Sequence, residues 1–296
     1  MLKEKTSNYF FLISSLAIGF IGFILYILIN INNDEELLST LETNLEITKN
    51  LLEEQKRYAL SLCVLISEDK EFLESFYSKD RKESFKVINQ KIKKLQQLQG
   101  SSFEIQVHNK DLKTYIRSWD FSIKDIPLSS FRHGLVKVKE SLKPHSSIEL
   151  GKRLNIKAIT PLIRDNSFEG SIEVIIGFEY LEKELLQRGI QMSILLQNKH
   201  LKIADKLRDN YKIQNYTLVN DNEKTRSFLK EINFSKLKDY GYFTNEDNAF
   251  SYFPFFSLKR EKLGYIIIAT KNTDHIDIQN SYESKIINTD DRIIIE

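Results

Sequence analysis

The sequence predicts an α+β chain: one apolar helix of membrane-spanning length, a long helix after it, then two successive units of helix plus antiparallel sheet. Three observations carry this. Residues 9–31 are an apolar run without a charge, and about 20 such residues cross a hydrocarbon core as a helix. From residue 34 apolar side chains recur in alternating steps of three and four, the spacing of a helix with one apolar stripe. Beyond residue 100 the pattern changes to short alternating runs bounded by turn residues, the mark of antiparallel strands.

The apolar run reads as a retained helix. A cleaved leader has a shorter apolar region and a small-residue cleavage site, whereas this run gives way to Asn32, Asn33, Asp34, Glu35 and Glu36. Lys3 and Lys5 precede it, and the next basic residue after it is Lys49. The positive-inside bias therefore places residues 1–8 in the cytoplasm and the bulk outside, on a bacterial inner membrane. Ser15 and Gly19 form a small-xxx-small pair, which either lets two helices approach or reflects the abundance of small residues in such helices.

Leu38, Leu41, Leu45, Thr48, Leu52, Gln55, Ala59, Leu62 and Ile66 form the stripe of the long helix. Two readings stay open: a helix lying along its own domain, or a stalk that pairs with a second copy or a receptor. Helical spacing continues over 72–99 with a polar break at Arg81-Lys82-Glu83, and Gly100 reads as its stop. The single cysteine, Cys63, excludes an intrachain disulfide framework and reads as a small buried apolar residue.

Residues 101–178 hold the most informative pattern. Strands are expected at 103–107, 146–150, 154–163 and 169–178, helical segments at 112–119 and 128–142, and a turn at Asp165-Asn166-Ser167. Charges stand inside these strands among apolar neighbours, which is costly unless they are paired or meet a ligand. That suggests a pocket. Trp119 offers a flat apolar wall, Arg117 and Lys157 suit a carboxylate or phosphate, and Asp120, Glu149 and Glu173 suit an ammonium. The plainer alternative is that these groups pair among themselves, Arg117 with Glu173 for instance, around Trp119 as core. Arg132 and Arg153 read as framework or surface groups, Gly151 and Pro161 as turn and strand-shape residues.

A helix over 180–188 ending at Gly189 leads to a second unit. It has strands at 192–196, 240–243, 249–256 and 263–270, a helix at 221–232, and a charged hairpin at Lys259-Arg260-Glu261-Lys262. Residues 273–288 are weakly helical and 290–296 form a tail. The divisions are thus 1–8, 9–31, 32–100, 101–188, 189–272 and 273–296.

Composition and motifs narrow the function. A net charge of +2 leaves no basic field for nucleic acid. The five histidines, His108, His133, His145, His200 and His275, form no ligand pair, and no Gly-rich phosphate loop or Gly-x-Ser-x-Gly elbow occurs. No histidine near Cys63 in sequence would activate it. The expectation is a binding protein without catalytic residues, metal or cofactor.

Five ordered motifs carry a family resemblance: Arg117-Ser118-Trp119-Asp120, Leu128 to Arg132, Ile148-Glu149-Leu150-Gly151, Lys157 to Pro161, and Gly170-Ser171-Ile172-Glu173. With the two-unit organisation they resemble the double Cache, or double sensory, region of bacterial two-component sensor kinases and methyl-accepting chemotaxis receptors, over roughly residues 30–272. The resemblance implies two PAS-like modules, the first far from the membrane and holding a small polar ligand (amino acid, carboxylate or amine), the second close to it. Lys157 stands where this group usually has arginine, so a bidentate fork becomes a point charge. The sequence ends near where such receptors re-enter the membrane, without a second membrane helix, HAMP segment or kinase core. The resemblance therefore implies a sensor lacking its own output domain; the alternative is a tethered solute-binding protein or the remnant of a shortened receptor.

Overall fold

The computed structural model describes residues 2–99, 102–230, 232, 234, 237–245 and 247–272. Helix α1 runs unbroken from Leu2 to Ser67, about 100 Å at 1.5 Å per residue. No proline precedes Pro127 to interrupt it. Along its first part Ile13, Leu16, Phe20, Phe23, Tyr26 and Leu28 are each more than half exposed. This sleeve of large apolar side chains is long and apolar enough to cross a membrane.

The stripe further along α1 is used by the chain itself. Leu41, Leu45, Thr48, Leu52, Ala59, Leu62 and Ile66 are buried in one apolar core shared with two sheets. Of the two readings of the stripe, this is the helix lying along its own domain; Leu41 to Ile66 are not free to pair with a second copy. Thr48 is tolerated there because its hydroxyl donates to the Asn44 carbonyl at 2.8 Å. Cys63 donates its S–H towards the carbonyls of Ala158 and Ile172 at 3.3 and 3.2 Å, and burial pushes the thiol up to about 12. It is an inert packing group.

Two short helices follow, α2 (Lys70–Tyr77), capped by the Asp69 carboxylate accepting from the Phe72 amide at 2.9 Å, and α3 (Arg81–Gln99). The first sheet has strands β1 (Glu104–Asn109), β2 (Thr114–Arg117), β3 (His145–Leu150), β4 (Leu154–Arg164) and β5 (Ser167–Ile176), with helix α4 (His133–Ser141) between β2 and β3. All pairs are antiparallel, in the order β2-β1-β5-β4-β3. The turn between β4 and β5 has Asp165 and Asn166 at φ 51° and 60°, the left-handed pair that suits a two-residue hairpin.

Helix α5 (Glu179–Gln187) and Gly189 at φ 75° lead into the second sheet. It comprises β6 (Gln191–Gln197), β7 (Lys212–Ile213), β8 (Tyr216–Leu218), β9 (Gly241–Thr244), β10 (Asn248–Phe256) and β11 (Lys262–Lys271), with helix α6 (Glu223–Leu229) after β8. The order is β7-β8-β6-β11-β10-β9. A backbone bond from the Lys206 amide to the Lys152 carbonyl, 3.0 Å, ties the two units together.

The structure corrects two sequence expectations and adds one hairpin. Residues 112–119 are not helical: Leu112 sits at φ 57° and Thr114–Arg117 is a strand. Pairing with β1 outweighs the apolar spacing of Leu112, Ile116 and Trp119, which coincides with a helical one. The helix expected over 128–142 begins only at His133, with Leu128 to Arg132 in turns. The β7–β8 hairpin, too short to show a period, was not anticipated. Gly100 and residues 273–296, with their expected helix stop, weak helix and tail, lie outside the described residues.

Candidate functional site

The two sheets differ in the face turned away from α1. Strand side chains alternate between faces, and in the second sheet both faces are apolar. Its far face carries Leu195, Phe250, Tyr252, Tyr265 and Ile267, packed with Leu229 and Phe234. In the first sheet Ile105, Val107, Ile156, Ala158, Ile172 and Val174 face α1. The alternate positions are polar apart from Ile159 and Ile175. Register places Gln106 opposite both Arg117 and Glu173, His108 opposite Ser171, and Ser147 opposite Lys157. All of these are buried. Such a face exists only if its groups satisfy one another or a ligand.

Arg132 is the hub. Its guanidinium donates to Glu173 and, at 3.5 Å, to Glu149. All three side chains are at most 8% exposed. The carboxylates hold the Arg132 proton more firmly than usual against the cost of burial. Glu149 also accepts from the Ser147 hydroxyl at 2.8 Å. It reaches the start of α4 because residue 134 is glycine: a Cβ there would stand 1.9 Å from Glu149 Oε1. His108 meets the Ser171 hydroxyl through Nδ1 at 3.0 Å and turns Nε2 to Glu173 at 3.5 Å. Burial, together with the charges of Arg132, Arg117 and Lys157, holds it neutral, well below its ordinary value.

Among the described residues Arg117 and Lys157 have no such hydrogen-bonded carboxylate. Arg117 donates to a neutral group, Gln106 Oε1, at 3.2 Å. Lys157, 2% exposed, donates to the Leu150 carbonyl at 3.2 Å. Burial and the Arg132 charge lower Lys157 from 10.5 to about 8. Three buried cations thus face two buried carboxylates. Half-buried Glu104, at the edge, interacts with Arg117 and Arg153 through space.

The remaining sequence candidates lie at the margin. Trp119 is 44% exposed, with the Arg117 guanidinium 5.7 Å from its ring centre. Asp120 accepts from the Ser122 amide and hydroxyl at 3.0 and 2.6 Å and interacts with Arg117 through space. The structure therefore brings Arg117, Glu149, Lys157 and Glu173 together, with Trp119 and Asp120 at the margin beside Arg117. Arg117 is not the partner of Glu173; Arg132 is.

Sequence reasoning missed Gln106, His108 and Arg132 as members of this face. The alternation Ile105, Gln106, Val107, His108 was the available signal for the first two. It also missed Arg81, which donates from Nε to the Tyr115 carbonyl at 2.7 Å and from Nη2 to those of Phe121 and Ile123. Its guanidinium lies 4.0 Å from the Phe121 ring centre, so α3 fastens the segment that carries Trp119. Among the described residues no three His, Cys, Asp or Glu side chains gather to hold a metal.

Two antiparallel sheets strung along one helix, one with a buried charged face, make a double-module domain. The chain belongs to the family described as the double sensory domain of two-component sensor kinases, a double Cache family whose model matches residues 34–275. Comparison with curated proteins gives no match. Solved structures with a similar fold include the sensor domain of the V. cholerae histidine kinase DctB, at 11% identity and TM-score 0.46, over 80% of this chain and 98% of that one. The extracellular domain of the putative histidine kinase vpHK1S-Z8 aligns at 13% identity and TM-score 0.49, over 81% and 93%. The ligand-binding domain of the Campylobacter jejuni chemoreceptor Tlp3, in complex with L-valine, aligns at 10% identity and TM-score 0.46, over 82% and 96%.

Proposed function

We propose that this protein is a membrane-anchored extracytoplasmic sensor that binds a small anionic molecule on the polar face of its first sheet. The carrying observation is the charge imbalance there: Arg117 and Lys157 are buried and bonded only to neutral oxygens. A carboxylate laid between them gains two charge-assisted bonds in a desolvated setting. Trp119 borders that position, and Glu149 and Glu173, held by Arg132, are within the same face for an ammonium on the ligand. The face has a binding role; nothing in its arrangement activates a nucleophile.

The family and the apolar sleeve support the topology. With residues 9–31 as the anchor and the N-terminus in the cytoplasm, Lys49, 5.7 Å from the Phe253 ring of the second sheet, stands about 27 Å along the helix from Ile31. Cys63, against the first sheet, stands about 48 Å along it. The first sheet (within residues 101–188) is then the membrane-distal module, and the second (within 189–272) the proximal one. Ligand binding signals only to the extent that it favours one arrangement of the modules over another.

The test is a thermal-shift screen of the full chain in detergent against amino acids, mono- and dicarboxylates, amines and purines. A ligand specific to the folded state raises its melting temperature by mass action. Anion-bearing compounds should produce the hits, and Arg117→Ala should abolish them. Hits confined to compounds without an anionic group would refute the reading.

A further inference from the structure

A cleft of about 90 Å³ separates the two units. One wall is the edge of the first sheet and the start of α4, with Phe131, Ile148 and Glu149; the other is the β10–β11 hairpin and the segment bearing His200. This is not the sheet face assigned above, although Glu149 belongs to both. The hairpin is firm: the Ser257 amide donates to the Glu261 carbonyl at 2.8 Å, and the Ser257 hydroxyl accepts from the Lys259 and Glu261 amides.

The polar groups on the two walls are mostly acceptors. His200 is 7% exposed. Among the described residues its Nε2 is buried without a hydrogen-bond partner. In the tautomer with the ring proton on Nδ1, Nε2 carries a lone pair. Glu261 lies 4.0 Å from it, beyond hydrogen-bond reach, and is paired with Lys199 at 2.8 Å. Opposite, Glu149 has one good donor, Ser147, and one long one, Arg132 at 3.5 Å, which leaves lone pairs free. Burial keeps His200 and His133 neutral, both lowered from their ordinary value. Lys259 is exposed at the rim, where its flexible stem can carry the charge into water.

We propose that this inter-module cleft is a second ligand site, for a small primary ammonium ion whose N–H groups reach Glu149 on one wall and His200 Nε2, with Glu261, on the other. The ion supplies the donors that these acceptors lack, and Phe131 and Ile148 cover its alkyl part. Because its contacts come from both units, its occupancy favours the arrangement in which they are close.

Calorimetric titration of the full chain in detergent with ethylammonium chloride, at constant ionic strength, tests this, with sodium propionate as the size-matched anion. Saturable ethylammonium binding is expected, weakened about tenfold or more by His200→Phe, as for loss of a hydrogen bond to a charged group. Lys259→Ala should strengthen it. In the unsubstituted protein the ¹⁵N resonance of His200 Nε2 should move on titration, a readout that survives if His200→Phe fails to fold. No saturable binding, an unmoved Nε2 resonance, indifference to His200→Phe, or propionate binding that requires Lys259 would each overturn the proposal.

Discussion

Replacing Lys157 with methionine is expected to stabilise the protein at pH 7 by roughly 3 kcal/mol, since each unit of pKa shift corresponds to about 1.4 kcal/mol. Lys157 is fully enclosed, and its proton is lost at about 8 in the folded state against 10.5 ordinarily. The folded pKa is depressed, so the unfolded chain binds the proton more tightly. Below pH 8 both states are protonated and the whole burial cost is present. Between pH 8 and 10.5 the folded state releases the proton first, and stability rises with pH. Above 10.5 this cost is gone. Urea unfolding at pH 7 and across pH 8–10.5 checks this: Lys157→Met should gain at neutral pH and lose the alkaline rise attributable to this group. Equal stability of the two proteins at pH 7 would mean that the ammonium is already compensated. A residue retained at such a cost fits a role in binding, the usual trade between stability and function.

The second large effect runs the other way. Arg132→Ala should destabilise the fold by about 3–5 kcal/mol, the range for removing one partner of a buried ion pair. It strands Glu149 and Glu173 at 7% and 0% exposure, each without its charge partner. At about 2–4 °C per kcal/mol for a domain of this size, the melting temperature should fall by roughly 10 °C. Arg132→Met combined with Glu149→Gln and Glu173→Gln should recover most of that loss, because the damage comes from uncompensated charge rather than lost packing. A single substitution as mild as an exposed ion pair, about 1 kcal/mol or less, would contradict the burial seen for this cluster.

Much of this architecture was legible because the strands carry their own period. Strands β3, β4 and β5 and the Asp165–Asn166 turn were readable from alternation and turn chemistry alone. So was the presence of charge inside strands, which pointed to Glu149, Lys157 and Glu173; Arg117 was named with them although its segment reads as helical. The partner of Glu173 was not legible. Arg132 lies 41 positions away, at the end of a turn that a helical spacing had claimed, and only the folding of α4 over the sheet delivers it. The local bonds of Asp120 were not legible either: a short acidic side chain in a turn accepts from its neighbours, here Ser122. The stripe on α1 is ambiguous in principle, since steps of three and four describe both a coiled-coil seam and a helix on its own core. The sheets that fill it are distant in sequence.

The most direct test of the binding face is the pH dependence of affinity for the carboxylate that raises the melting temperature most, measured by calorimetry from pH 7 to 10. With a proton on Lys157 required for tight binding, affinity should be level below pH 8 and then fall by up to about tenfold per pH unit as the free protein loses that proton. In Lys157→Met affinity should be weaker and free of this fall. An affinity unchanged from pH 7 to 10, or an identical fall in Lys157→Met, would contradict the assignment of the ligand to Arg117 and Lys157.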